Sequence, residues 1–82
     1  MKTNEVRTLS EFYLWVKIRM LEKGLTQREL AEQMHTHHAR ISEAIHGKSS
    51  GMKYILPLIN VLGGKEENFR DFLTELGLTE QD

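Results

Sequence analysis

The side chains best suited to chemistry in this chain are polar groups clustered between positions 35 and 46. On a helix, positions 38, 42 and 46 form one row, and positions 39 and 43 form the next. That face and its N-terminal edge carry His37, His38, Ala39, Ser42, Glu43 and His46. An imidazole can donate to or accept from guanine, a carboxylate can accept from cytosine N4, and an alanine methyl can contact thymine. The spacing therefore favours a helix that reads base edges.

Two other chemistries fit these residues less well. His38 and His46 lie two helical turns apart, about 12 Å, and cannot share a metal ion, although His35 and His38 could approach each other across the turn. The chain has no Cys, so a thiolate site is excluded, and we expect no metal and no cofactor. It also lacks a Gly-rich phosphate loop and a nucleophile elbow, so we expect no enzyme.

Length and composition predict an ordinary globular chain. The chain has 82 residues, of which 39% are hydrophobic and 28% charged. We therefore expect one domain, close to the lower size limit for a stable core. No apolar run approaches the roughly 20 residues of a membrane span. The polar N-terminus lacks the apolar region of a signal peptide. We therefore expect a cytoplasmic protein, without contact to a membrane.

Charge is distributed unevenly, although the net charge is only −1. Residues 1–25 carry five basic and three acidic groups, residues 26–64 carry four and three, and residues 65–82 carry two and six. An acidic tail turned into solvent would leave a mildly basic body free to bind an anionic partner.

Capping signals and apolar spacing predict an all-α chain of five helices. Thr8 followed by Glu11 is a capping box and Gly24 a left-handed cap, so helix 1 is expected from about Leu9 to Lys23. Helices 2 to 5 are expected at about 27–34, 37–46, 52–62 and 66–76. No segment alternates with a period of two, so we expect no sheet.

Local signals add detail to these helices. Thr26 and Thr36 are the expected N-caps of helices 2 and 3. The expected inner face of helix 3 consists of Ile41, Ala44 and Ile45. Pro57 would kink helix 4 unless it lies in the first turn.

Two apolar stripes are larger than a minimal core needs. Helix 1 carries Leu14, Trp15, Ile18 and Leu21, and helix 5 carries Phe69, Phe72, Leu73 and Leu76. We expect the two stripes to pack on each other, because a helix apolar over half its circumference must be covered on two sides. The alternative is an interface with a second protomer or another protein, formed by Leu14, Trp15, Ile18, Phe69, Phe72 and Leu76.

A family resemblance rests on the spacing of several short motifs: Gly24-Leu25-Thr26-Gln27-x-x-Leu30-Ala31, then Ile41-Ser42, Gly47-Lys48 and Leu62-Gly63. Residues 9–64 resemble the phage Cro/CI repressor family, also called the Xre family of helix-turn-helix regulators. The segment 47–54 is similar to a subgroup from phages and mobile elements of Gram-positive bacteria. The segment 40–43 is also similar to HigA-type antitoxins, which share the fold.

The resemblance implies a compact lambda-repressor-like fold and DNA binding by helix 3 as the recognition helix. It places Gln27 at a phosphate, makes Thr36 the cap near the DNA backbone, and lays His46, Lys48 and Lys53 along the backbone. Arg40, beside the core row, is expected to reach a phosphate. The full predicted DNA-binding set is Gln27, Arg28, Thr36, His37, His38, Ala39, Arg40, Ser42, Glu43, His46, Lys48, Ser49 and Lys53.

Two departures from the family pattern stand out. His35 replaces the usual turn glycine, so we expect a left-handed backbone there with modest strain. Met20 and Ile45 occupy positions where many members have an Arg and a Glu that form a buried ion pair. A paired apolar replacement leaves no unpaired buried charge.

The expected domain covers residues 1–82, with an N-terminal arm (1–8), the family core (9–64), an additional helix (65–77) and an acidic tail (78–82). The expected function is transcriptional regulation, as a repressor that binds a palindromic operator in double-stranded DNA at the nucleoid. We expect a homodimer that is weak and forms on DNA. The alternatives are a HigA-like antitoxin or a regulator whose partner is a protein, such as a toxin or an antirepressor.

Overall fold

The structure, a computed structural model, describes residues 5–78. Five α-helices follow one another: α1 (Leu9–Lys23), α2 (Gln27–Gln33), α3 (His38–Ile45), α4 (Ile55–Val61) and α5 (Arg70–Leu76). Two 3₁₀ helices, η1 (Ser49–Tyr54) and η2 (Glu66–Phe69), precede α4 and α5. The described part of the chain contains no strand, so the predicted all-α fold of five helices is confirmed.

Helix α1 has the predicted bounds because its capping signals act as expected. The Thr8 hydroxyl accepts from the Glu11 N–H at 3.1 Å, and the Glu11 carboxylate accepts from the Thr8 N–H at 3.2 Å. Gly24 closes the helix with a left-handed backbone, φ 68°. The two caps satisfy backbone groups that the helix itself leaves unpaired.

The core lies between the five α-helices. Its α1 side consists of Phe12, Val16 and Met20, which are buried. The other buried apolar residues are Val6, Leu30, Ala31, Ile41, Ala44, Ile45, Ile55, Leu58, Ile59, Leu62, Phe69, Phe72 and Leu73. Met20 and Ile45 both belong to this core, so the family's ion-pair positions are filled by apolar packing.

Aromatic rings join α1 to the C-terminal part of the chain. The ring centroids of Phe12 and Phe72 lie 4.8 Å apart, and those of Trp15 and Phe69 lie 4.7 Å apart. The predicted packing of the two stripes is thus confirmed for Trp15 and Phe69, whereas Phe12 belongs to the neighbouring apolar face of α1. Phe69 and Phe72 are buried in that contact, which corrects the expectation that they could form a surface interface.

The outer part of the α1 stripe is not covered within the chain. Leu14, Ile18 and Leu21 are 57%, 52% and 81% exposed. The expectation that the helix 5 stripe covers this stripe is therefore wrong for these three residues. Hydrophobic periodicity identifies an apolar face but does not specify whether the same chain covers it.

The starts of helices 4 and 5 also differ from the prediction. Residues 49–54, expected as loop and α-helix, form η1, and residues 66–69 form η2. Pro57 is the third residue of α4, where a helix has no partner for a backbone N–H, and so its missing N–H costs no hydrogen bond. Val6, in the expected N-terminal arm, is buried and donates its N–H to the Asn68 carbonyl at 2.8 Å.

Within residues 5–78, no helix combines the length and apolar character that crossing a membrane requires.

Candidate nucleic-acid interface

The turn between α2 and α3 is closed by two backbone hydrogen bonds. The Thr36 N–H donates to the Ala31 carbonyl at 2.9 Å, and the His35 N–H donates to the Glu32 carbonyl at 3.1 Å. This is a Schellman closure, in which the residue after the cap takes the left-handed conformation. His35 takes it with φ 58°, the one positive φ of a non-glycine residue in the described chain. The predicted backbone at His35 is confirmed.

The N-cap of α3 is His37, and the expectation that Thr36 caps this helix is wrong. The His37 Nδ1 accepts from the Ala39 N–H at 3.2 Å, so Nδ1 carries no proton in this arrangement. Helix α3 begins at His38, so Thr36 lies one residue before the N-cap position, and its N–H completes the closure of α2. The His37 ring stacks on the His38 ring, with centroids 4.4 Å apart.

Helix α3 divides into a buried and an exposed side. Ile41, Ala44 and Ile45 are buried, as predicted. On the opposite side, His38 and His46 are exposed, and Ala39, Ser42 and Glu43 are half-buried. The Gln27 amide donates to the His38 carbonyl at 3.2 Å and joins the start of α2 to the start of α3. The fold therefore presents a polar face of α3 directly after the turn.

The C-terminal end of α3 packs closely against the Leu9 side chain and against η1. Gly47 has φ 74°, and a Cβ there would lie 2.6 Å from a methyl of Leu9. The Lys48 N–H donates to the Glu43 carbonyl at 2.9 Å. Gly51 is buried against α3, and a Cβ on it would lie 2.2 Å from the Ala44 nitrogen. Segment η1 therefore packs on α3 with no room for a side chain between them.

Glu43 is engaged by two side chains of the same chain. Its Oε1 accepts from the Arg40 Nη1 at 2.5 Å and from the Ser50 hydroxyl at 2.8 Å. The hydrogen bond from Arg40, and after it the one from Ser50, lowers the pKa of Glu43. The hydrogen bond to Glu43 raises the pKa of Arg40. Arg40 and Glu43 were predicted separately, one at a phosphate and one at a base, and here they form an ion pair.

Sequence reasoning missed two residues that contact the predicted set. Ser50 reaches Glu43 from η1, and no local signal connects positions seven residues apart across a turn. Tyr13 of α1 lies beside His46, with ring centroids 5.7 Å apart. The His46 Nδ1 is also 2.7 Å from the Ser42 carbonyl, to which it donates when it carries the proton. His46 is thus positioned by both α1 and α3.

The remaining predicted residues lie on the elements that flank α3. Arg28 is exposed in the first turn of α2, and Lys48 and Ser49 are exposed where η1 begins. Lys53 is exposed in η1, with Nζ 5.5 Å from the centre of the Tyr54 ring. In residues 5–78, no group of three or more His, Asp or Glu side chains is arranged to hold a metal ion.

A family model described as helix-turn-helix (HTH_3), of the Cro/C1 type, matches residues 16–68, which are 53 of the 82 residues. The chain belongs to this helix-turn-helix family. The match includes α2, the turn at His35, α3 and η1. No curated protein and no solved structure matches the chain significantly.

Membership of the Cro/C1-type helix-turn-helix family assigns the general function. The family consists of DNA-binding regulatory domains, typically without enzymatic activity, and its domain binds double-stranded DNA. Helices α2 and α3 are the two helices of the motif, and in this motif the second helix lies in the major groove.

Proposed function

We propose that this chain is a Cro-like repressor that reads the major groove of double-stranded DNA with the exposed face of α3. One observation carries the proposal: a polar face on α3, opposite Ile41 and Ile45, follows directly on α2 and a left-handed turn. The family resemblance of segment 47–54 supports an origin in a phage or mobile element and action at the bacterial nucleoid.

The proposed base contacts belong to the N-terminal half of α3. His38 is exposed and can donate to or accept from guanine, while the Ala39 methyl can contact thymine. Ser42 lies one turn further along the same face. In helix-turn-helix proteins the N-terminal residues of the recognition helix contact base edges, which agrees with this assignment.

The proposed phosphate contacts surround that face. Residues that donate hydrogen bonds or carry positive charge occupy α2, α3, η1 and the turns between them: Gln27, Arg28, Thr36, His37, Arg40, His46, Lys48, Ser49 and Lys53. Contacts of this kind set the register of a protein on DNA and make its affinity depend on salt. An overall charge near zero is compatible with this role because the acidic groups concentrate after position 64.

Selection of binding sites from random duplex DNA, at one salt concentration for all variants, tests the proposal. We expect the wild-type chain to enrich one short palindromic motif. His38→Ala should relax the preference at a defined base pair in each half-site. Gln33→Ala, an exposed position of α2 outside the proposed set, should enrich the same motif as the wild type. Retention of DNA without any enriched motif would contradict the proposal.

We further propose that the chain binds its operator as a homodimer, with the exposed residues Leu14, Ile18 and Leu21 of α1 against a second copy. A stable interface buries about 800 Å² on each partner, and three aliphatic side chains on one helix supply much less. The expected dimer is therefore weak in solution and is completed on DNA, where two recognition helices about 34 Å apart occupy adjacent major grooves.

Cooperative binding to a full operator tests the dimer. The double variant Leu14→Ser, Ile18→Ser should bind one half-site with the affinity of the wild type. It should lose the additional, cooperative affinity that the wild type has for the full palindrome. Lys23→Ser, at an exposed position on the same helix, serves as the control. Unchanged cooperativity in the double variant would contradict a second copy as the occupant. A protein partner such as a toxin or an antirepressor would then be the alternative.

A further inference from the structure

The carboxylate of Glu43 connects two parts of the proposed interface. Its Oε1 accepts from Arg40, three residues earlier on α3, and from Ser50 at the beginning of η1. The Glu43 backbone contributes as well, because its carbonyl accepts from the Lys48 N–H. Side chain and backbone of one residue thus both hold the segment that leaves α3.

The chemistry of these contacts does not favour a base contact for Glu43. To accept from cytosine N4, the carboxylate would have to leave the Arg40 guanidinium and the Ser50 hydroxyl. Without Arg40 it would also be a free anion close to DNA phosphates, which repel it. With Arg40 the pair is neutral, and the side chain of Arg40 is fixed at one place on the edge of α3.

The backbone around Glu43 leaves little freedom for another arrangement. A Cβ on Gly51 would lie 2.5 Å from the Glu43 carbonyl carbon, so η1 is in direct contact with the α3 backbone at this residue. Ser50 is the residue before Gly51, which places its hydroxyl within reach of the Glu43 carboxylate. Segment η1 and its N-cap carry Lys48, Ser49 and Lys53, which are proposed phosphate contacts.

We infer that Glu43 is a positioning residue, which fixes Arg40 and the start of η1 relative to α3 so that their donors face phosphates in register. Base identity is then read by His38, Ala39 and Ser42. This inference rests on the proposed function, and it replaces the expectation that Glu43 itself contacts a base.

A double-mutant cycle without DNA tests the link between Glu43 and Ser50. Thermal unfolding is compared for the wild type, Glu43→Ala, Ser50→Ala and the double variant. We expect the loss of Tm in the double variant to be smaller than the sum of the two single losses, because each single change already removes the shared hydrogen bond. Glu43→Gln, which keeps an acceptor oxygen, should recover part of the loss. Glu32→Ala, an exposed acidic position on α2, is the charge control. Additive losses would overturn the link.

Base preference on DNA tests the role of that link. Affinity is measured for every single base-pair change in the selected site. We expect Glu43→Ala to weaken binding to all sequences by a similar factor, several-fold, while His38→Ala changes the preference at one base pair. A lost preference at one base pair in Glu43→Ala would overturn the inference.

The two experiments separate failure of the inference from failure of the proposed function. If the wild type shows no base preference at all, the proposed function is wrong, and the positioning role for DNA contacts is overturned with it. A wild type with a clear preference, combined with additive unfolding losses, overturns the inference alone.

Discussion

The two ends of α3 are held in different ways. At the N-terminal end, two exposed side-chain hydrogen bonds of 3.2 Å connect the helix to its surroundings, one from Gln27 to the His38 carbonyl and one at the His37 cap. At the C-terminal end, Gly47 lies against the Leu9 side chain and Gly51 lies against the α3 backbone. A Cβ added at either glycine would be closer than 3 Å to these neighbours.

This difference matches the separate roles that we propose for the two ends of α3, base contacts at the N-terminal end and positioning of the phosphate contacts at the C-terminal end. Exposed side-chain hydrogen bonds can be exchanged for bonds to DNA at little net cost, so the end that carries His38 and Ala39 can adapt to base edges. Backbone packing cannot be exchanged in this way, so the end that carries Glu43 and η1 acts as the fixed reference. The predictions below test the two ends, beginning with the largest expected effect.

Gly51→Ala, at the C-terminal end of α3, should lower the stability of the fold more than the other changes proposed below. The new Cβ would lie 2.2 Å from the Ala44 nitrogen, and backbone atoms cannot move aside as a flexible side chain can. We expect the free energy of unfolding in urea to fall by about 1–3 kcal/mol, the range for overpacked sites. Asn60→Ala, on the exposed side of α4, is the control. A stability equal to that of the control would show that η1 is not packed on α3 as described.

His37→Ala should weaken the adaptable end by a smaller amount. Loss of an N-cap acceptor costs about 1 kcal/mol, and the His37 Nδ1 accepts from the Ala39 N–H. His37→Asn supplies a preferred capping side chain and should restore the stability, whereas His38→Ala, at the next exposed position, should have little effect on urea unfolding. Equal losses for the two alanine variants would argue against His37 as the cap.

His35→Gly should stabilise the chain slightly. A left-handed conformation costs a residue with a Cβ roughly 1–2 kcal/mol, and glycine avoids that cost but loses more backbone entropy on folding. The expected net gain is about 0.5 kcal/mol, measured by urea unfolding. Gly47→His at the corresponding position after α3 should instead be destabilising, because φ is 74° there and the Leu9 side chain would have to move aside. Destabilisation by His35→Gly would mean that the His35 side chain itself makes a favourable contact.

Acid should remove the contribution of Glu43 to the fixed end. Hydrogen bonds from Arg40 and Ser50 lower the pKa of Glu43 in the folded chain below its ordinary value of 4.5. The carboxylate therefore stabilises the fold above pH 4.5, and this contribution is lost as the pH falls through the folded-state pKa. The difference in Tm between the wild type and Glu43→Gln should shrink in acid, while Glu32→Gln should show no such change. A difference that does not depend on pH would contradict the pairing.

Much of the fold follows from local signals in the sequence. Thr8, Glu11 and Gly24 specify the ends of α1, and apolar spacing specifies the buried face of α3. The left-handed turn at His35 follows from its place in the motif. Each of these features depends on residues within a few positions of one another, which is the range over which caps and helical periodicity act.

The features that the sequence did not predict depend on contacts between distant elements. Ser50 reaches Glu43 only because the chain turns at Gly47 and η1 packs on α3. The N-cap is His37 and not Thr36 because the closure of α2 extends to Thr36, so that α3 begins only at His38. The exposure of Leu14 and Ile18 depends on how much of α1 the aromatic side chains of α5 and η2 cover, which periodicity does not specify.

Methylation interference on the selected DNA site tests the central claim most directly. Dimethyl sulfate methylates guanine N7 in the major groove and adenine N3 in the minor groove, and these atoms are among the acceptors exposed in each groove. If α3 reads the major groove, methylated guanine N7 within each half-site should block binding, and methylated adenine N3 should not. Interference confined to adenine N3, or absent at every position, would contradict the account.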